Sequence, residues 1–234
     1  MKADKPYVCA IIVGAGSGTR MGGVNKPMIK IGEKTAFRMV LEAFGQAGCI
    51  DEIVVVCRDK KEMEAESAFF DAKPLSFTLG GNTRAESVSK GIKAASRKTA
   101  FYCIHDCARP LVTPEIITAV VTVAFEKGAA TACTPVTDTI KYVNSENGSV
   151  YTPDRKMLVS VQTPQVFEAK LYTAAAAVAK RDGYMSTDDT SIAEHAGFKV
   201  QYVETDKSNL KLTSIEDVYT ARFIDMRRRK EQQQ

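Results

Sequence analysis

Arg20 and Lys26 lie within a stretch, Gly14 to Pro27, that holds five glycines in its first ten residues. Glycine lets a backbone turn tightly and approach a ligand with no Cβ in the way. Successive N–H groups in such a loop can converge on an anion. Arg20 offers a planar fork and Lys26 a compact point charge, a pair suited to phosphate oxygens. The chemistry implied is polyphosphate handling. It is not dinucleotide binding, because Thr19 stands where that fingerprint needs its third glycine, and it is not a P-loop, because Gly-Lys-Ser/Thr is missing.

Two further stretches could share that chemistry. In His105-Asp106-Cys107-Ala108-Arg109-Pro110, a carboxylate could hold Mg²⁺, which typically takes one or two carboxylates plus substrate phosphates. Arg109 could then grip a second anion. Gly81-Asn82-Thr83-Arg84-Ala85-Glu86-Ser87 offers amide and hydroxyl groups at a helix start, suited to a base edge. His105 and His195, the only histidines, have no arrangement that would activate a nucleophile.

Stepping from these residues to their supports, Tyr7–Val13 reads as a buried strand of a parallel sheet. Further strands are expected at Ile53–Cys57, Leu75–Leu79, Phe101–Ile104, Ala129–Cys133 and Lys199–Val203. Helices are expected from Thr35 to about Gly45 or Gly48, at Lys60–Phe70 and at Ala85–Ser96. Others run from Thr113-Pro114, a hydroxyl cap before a proline suited to the first turn, to about Lys127, and at Glu168–Arg181. A short one starts near Asp188 and a last one at Ile215. The alternation predicts a doubly wound, mostly parallel α/β sheet of Rossmann-like type, in which ligands bind outside the carboxyl ends of the strands. The three motif loops all leave strand ends, so they should converge.

Between Asp138 and Gln165 the rhythm breaks. Thr139–Val143 and Lys156–Val161 flank a polar stretch with Asn147-Gly148, a strong turn signal. This predicts a long protruding β-hairpin arm at about 138–165, inserted in a single domain spanning 1–234. A two-stranded arm is marginal alone, so it is expected to rest on another surface, such as a second subunit.

Composition narrows the class. Arg227–Glu231 contributes +3 of the net charge of +4, so a basic helix end is the only asymmetry, and nothing points to nucleic acid. The six cysteines fall mostly in apolar runs without zinc spacing. No signal segment and no membrane-length apolar run are present, which predicts a cytoplasmic enzyme.

The Gly-rich turn running into Arg-Met-Gly and then Lys-Pro resembles sugar and polyol nucleotidyltransferases. Seven motifs in order narrow this: Gly-Ser-Gly-Thr-Arg-Met-Gly, Gly-Gly-Asn-Thr-Arg-Ala-Glu-Ser-Val, His-Asp-Cys-Ala-Arg-Pro, Pro-Val-Thr-Asp-Thr-Ile-Lys, Gln-Thr-Pro-Gln-Val-Phe, Thr-Asp-Asp and Asn-Leu-Lys-Leu-Thr. From Val8 to about Arg222 the chain resembles the 2-C-methyl-D-erythritol 4-phosphate cytidylyltransferase family. The resemblance implies transfer of a cytidylyl group from CTP to a polyol phosphate, with Mg²⁺, in a homodimer whose β-arms embrace. It implies catalytic roles for Arg20 and Lys26 at the α-phosphate. CTP would be held by Ala15, Gly16, Gly18, Gly81, Asn82 and Ser87. The acceptor would be held by Asp106, Arg109, Thr139, Arg155, Thr163, Thr187 and Lys211, with Asp106 also on the metal. Pro27 replaces the Gln common in that family, and Asn82 the common Asp. A ribitol-5-phosphate cytidylyltransferase shares most of these motifs, and a non-catalytic nucleotide-binding regulator is the alternative of another class.

Overall fold

The computed structural model describes residues 5–16, 22–144, 146 and 148–232. Its main sheet has seven strands in the order β11-β7-β10-β6-β1-β4-β5. These are β1 (Val8–Val13), β4 (Glu52–Cys57), β5 (Leu75–Leu79), β6 (Phe101–Asp106), β7 (Ala129–Pro135), β10 (Val159–Glu168) and β11 (Gln201–Glu204). Only β10 runs antiparallel, against β6 and β7. Two small ribbons complete the strands: β2 (Lys30–Ile31) with β3 (Lys34–Thr35), and β8 (Tyr142–Val143) with β9 (Val150–Tyr151).

The helices cover both faces. On one, α1 (Ala36–Gln46) and α4 (Pro114–Lys127) pack Phe37, Phe44, Ile117 and Val121 against Ala10, Ile12 and Val55. On the other, α3 (Arg84–Ala94) and α5 (Ala169–Arg181) pack Val88, Tyr172 and Ala175 against Ile11, Val54 and Phe167. Alternate residues of β1 thus feed opposite layers, which is why Val8–Ile12 is apolar throughout. Fully burying each large side chain contributes about 1.5–3 kcal/mol. The remaining helices are α2 (Lys60–Glu66), α6 (Asp189–His195) and α7 (Ile215–Gln232).

Local signals mark several starts. Thr35 accepts from Arg38 N, Thr83 from Glu86 N, and Thr113 from Ile116 N with Pro114 following. Asp188 caps α6 by accepting from Ser191 N. These hydroxyl and carboxylate oxygens satisfy donors that a helix cannot pair internally.

Two expectations change. Strand β6 runs on to Asp106 instead of stopping at Ile104, because His105 and Asp106 continue the parallel pairing with Ile12 and Val13. The hairpin also differs from its predicted form: β8 pairs with β9, not with the segment from Lys156. That segment opens into β10, ten residues long, with a register shift between Val161 and Gln165. The strand expected at Lys156–Val161 instead starts at Val159 and continues past the irregularity, and Gln162–Phe167 stay buried between β6 and β7. Gly148 takes φ +67 in the β8–β9 turn, a conformation glycine adopts without strain. Asn147 lies outside the described residues.

Candidate active site

The parallel strands β1, β4, β5 and β6 end on the same edge, and a cleft of about 430 Å³ opens there. Its lining includes Ala15 and Gly16 after β1, Arg58 after β4, Gly81 and Asn82 after β5, and Asp106 at the end of β6. This is the convergence expected of loops leaving strand ends. Lys26, Ser87 and Lys211 line the same cleft. Gly18 and Arg20 lie outside the described residues.

The two glycine loops touch each other. A Cβ on Gly80 would overlap the Ala15 methyl, and one on Gly81 would overlap Glu86. Only glycine therefore lets the β5 loop lie this close to the β1 loop. Gly81 N donates to Ser87 Oγ at 3.0 Å, and Ser87 Oγ donates to Thr83 O at 2.9 Å. Asn82 N donates to Glu86 Oε2 at 2.7 Å, which leaves the Asn82 side chain exposed at the cleft.

Asp106 is the electrostatic centre. Arg84 Nε donates to its Oδ1 at 3.2 Å and Lys211 Nζ to its Oδ2 at 2.5 Å. Burial alone would raise its pKa, but the Arg84 and Lys211 charges outweigh burial and hold it well below the usual carboxylate range. Arg84 also donates from Nη1 to Asp189 Oδ2 at 2.7 Å. Asp189 is fully buried, where desolvation pushes its pKa up against the pull of Arg84. It accepts from Tyr172 OH at 2.6 Å, and its backbone N–H donates to Gln165 Oε1 at 2.9 Å. Arg84, Asp189 and Gln165 were absent from the candidates read from sequence, although all three fall inside quoted motifs.

A second organiser is the segment Asn209–Leu212. Lys26 Nζ donates to Leu212 O at 2.8 Å, Leu212 N to Ala108 O at 2.8 Å, and Arg109 Nη1 to Asn209 O at 2.8 Å. The Asn209 amide donates at 2.9 Å to both Gln162 Oε1 and Thr163 O. One extended stretch near the C-terminus thereby ties Lys26, Arg109 and, through Lys211, Asp106 into one frame.

The other acceptor candidates sit differently. Thr163 is buried and accepts from Asp106 N at 3.0 Å, but it does not line the cleft. Arg109 is also outside the lining, with its Nε buried and unpartnered. Thr139, Arg155 and Thr187 are exposed and away from the lining. Arg155 donates to Thr137 O at 2.7 Å, which keeps it on the arm.

The comparisons with known proteins bear on the family and the fold. The family model described as IspD, 2-C-methyl-D-erythritol 4-phosphate cytidylyltransferase, matches residues 8–227. The chain belongs to this family. Two relatives bearing that name, from Caldanaerobacter subterraneus subsp. tengcongensis and Clostridioides difficile, are 39% and 37% identical to it. The first alignment covers 93% of this chain and 98% of the relative, the second 94% and 95%. A crystal structure of 4-diphosphocytidyl-2C-methyl-D-erythritol synthase from Anaerococcus prevotii superposes with a TM-score of 0.85 at 27% identity, covering 95% of this chain and all of that one. The family's shared architecture is the mostly parallel, helix-flanked sheet described above. No described helix is long and apolar enough to cross a membrane.

For a divalent cation, the donor set fits in a limited way. Asp106 is ionised and faces the cleft, and each of its oxygens is described with one donor, which leaves lone pairs for a further ligand. No group of three or more His, Cys, Asp or Glu that could hold a metal occurs among the described residues. A hard cation here would therefore depend on phosphate oxygens and water for most of its ligands, as Mg²⁺ commonly does.

Proposed function

We propose that this enzyme transfers a cytidylyl group from CTP to 2-C-methyl-D-erythritol 4-phosphate, giving the CDP-polyol and pyrophosphate for isoprenoid precursor synthesis. The observation that supports the reading is the cleft at the carboxyl ends of β1, β4, β5 and β6, lined by residues of the motifs that carry the resemblance, in a chain that belongs to the family. An oxygen of the acceptor phosphate attacks the α-phosphorus of CTP. The bond from that phosphorus to the bridging oxygen breaks, and pyrophosphate leaves with the electron pair. No covalent enzyme intermediate is needed, so catalysis rests on alignment and charge.

Each part of the chain has a task in that reaction. Ala15 and Gly16 line the cleft where the triphosphate would lie, Gly18 is assigned to it by the resemblance alone, and Gly81, Asn82 and Ser87 are assigned to the cytosine. Lys26 and Arg20 stabilise charge that grows on the α-phosphate oxygens, and the Leu212 carbonyl fixes the Lys26 ammonium in the cleft. Asp106, Arg109 and Lys211 receive the acceptor end, joined by Thr139, Arg155, Thr163 and Thr187. Asp106 with phosphate oxygens would hold Mg²⁺, which neutralises triphosphate charge when bound. We infer a cytoplasmic homodimer joined through the arm: Tyr142, Val143, Val150 and Tyr151 are all more than half exposed there, an apolar surface that pairing would cover.

Pyrophosphate release, with each of four nucleoside triphosphates crossed against methylerythritol 4-phosphate and ribitol 5-phosphate, tests the reading. Turnover is expected with CTP and methylerythritol 4-phosphate and to disappear on chelation. Preference for ribitol 5-phosphate, equal use of UTP, or CTP binding without turnover would each overturn part of it.

A further inference from the structure

Arg58 is the charge of the cleft that no motif accounts for. Among the described residues, Lys26, Arg58, Arg84 and Lys211 line the cleft as cations, against the one carboxylate of Asp106. Arg84 and Lys211 both donate to Asp106, and Lys26 donates to Leu212 O. Arg58 is exposed, and its side chain makes no hydrogen bond or ion pair among the described residues. It also falls in none of the seven motifs that carry the resemblance.

Its backbone, in contrast, is held from several sides. Strand β4 pairs with β1 on one side and with β5 on the other. Where β4 ends, Gly14 N donates to Val56 O at 2.8 Å and Gly80 N to Cys57 O at 2.9 Å, which pins the residues before Arg58 to both glycine loops. Asp59 follows and caps α2, its Oδ1 accepting from Lys61 N at 2.9 Å and from Glu62 N at 3.2 Å. That carboxylate therefore serves the helix start and forms no ion pair with Arg58. Glu62 in turn accepts from Asn25 Nδ2 at 2.6 Å, which ties this turn to the segment leading into Lys26. A fixed backbone thus carries a free guanidinium at the cleft.

A planar guanidinium without a partner suits phosphate oxygens, which its fork can take two at a time. The candidates for reading the base, Gly81, Asn82 and Ser87, are uncharged, and a cytosine offers a further cation no matching charge. The Asn25–Glu62 link instead sets the Arg58 turn beside the Lys26 segment. We propose that Arg58 is a binding residue for the β- and γ-phosphates of CTP, the part that leaves as pyrophosphate. The proposal rests on the reading of the cleft as a CTP site and adds to it a residue outside the family motifs. Such a contact is the same before and at the transition state, so it strengthens binding without speeding the chemical step.

The test compares the parent with Arg58→Gln and with Lys61→Gln, which removes an exposed cation three residues on that does not line the cleft. Calorimetry with Mg²⁺ present reads the affinities for CTP, CMP and inorganic pyrophosphate. Arg58→Gln is expected to weaken CTP and pyrophosphate about tenfold, as for loss of a hydrogen bond to a charged group, with CMP changed less than twofold. Its kcat at saturation should stay within twofold of the parent, and Lys61→Gln should leave every affinity within twofold. Equal weakening of CMP and CTP would place Arg58 at the nucleoside or the α-phosphate. An equal effect of Lys61→Gln would reduce it to a long-range field, and parent-like affinities in Arg58→Gln would make it a solvated rim charge. A marked fall in thermal stability of Arg58→Gln would make it a structural residue. Each of these overturns the proposal. Failure of the parent itself to bind CTP, read before any variant is compared, would overturn the CTP reading of the cleft and this assignment with it.

Discussion

The cleft and the arm hold their candidate site residues in very different ways. At the cleft, Asp106 is tied by Arg84, Lys211 and Thr163, and Lys26 by the Leu212 carbonyl. On the arm, Thr139 and Arg155 are exposed, and β8 and β9 contribute two residues each. A ribbon of that size has little to stabilise it alone. The fold of one chain therefore fixes Lys26 and the Asp106–Lys211 corner in advance and leaves Thr139 and Arg155 exposed on the arm. Preorganised groups cost nothing to arrange at the moment of reaction, which suits the cleft to charge stabilisation better than the arm.

The sharpest way to break that comparison is Lys26→Ala. Removing a donor that strengthens its interaction as charge develops is expected to lower kcat on the order of 100- to 1,000-fold, with CTP affinity from calorimetry little changed. A proportional loss of CTP affinity would move Lys26 from catalysis to binding. Next is Lys211→Ala, which strips one cation from Asp106. Loss of a charge-assisted hydrogen bond of about 1.5–3 kcal/mol should appear mainly as a raised acceptor KM, because that contact serves ground and transition states alike.

Gly80→Ala probes the cleft's packing. Its methyl would overlap Ala15, so the β1 and β5 loops must part, at a cost of about 1–3 kcal/mol. Thermal unfolding and CTP titration should both register it, whereas Gly48→Ala, with open space around its Cβ, should leave both near the parent. The arm should show the smallest effect on the folded chain. Tyr142→Ser with Tyr151→Ser removes a tilted ring pair with centroids 5.1 Å apart on an exposed ribbon. Thermal stability of the protomer is expected to change little, while light scattering should show a dimer giving way to monomer together with lost acceptor affinity. An intact dimer would place the interface elsewhere.

Much of the fold could be read in advance because its causes are local. Thr35 and Thr113 cap helices within a few residues of themselves, and the apolar run of β1 signals burial on both faces without reference to anything distant. The motif loops were legible for the same reason: each directly follows an apolar run, and a doubly wound sheet sends such loops to one edge. The arm's true extent was not legible. The apolar pattern suggests a strand at Lys156–Val161, and only the neighbours β6 and β7 make Val159–Glu168 one strand.

By itself, then, the sequence determined the alternation of elements, the glycine loops with their charges and the family. Tertiary structure alone decided which charges meet. Arg84 reaches Asp189 across 105 residues, Lys211 reaches Asp106 across another 105, and Thr163 Oγ lies 3.1 Å from His105 Nδ1, 58 residues away. Periodicity and capping act over a few residues, whereas these pairings follow from strand order. Inserting β10 antiparallel between β6 and β7 is what brings Thr163 and Gln165 beside the Asp106 corner.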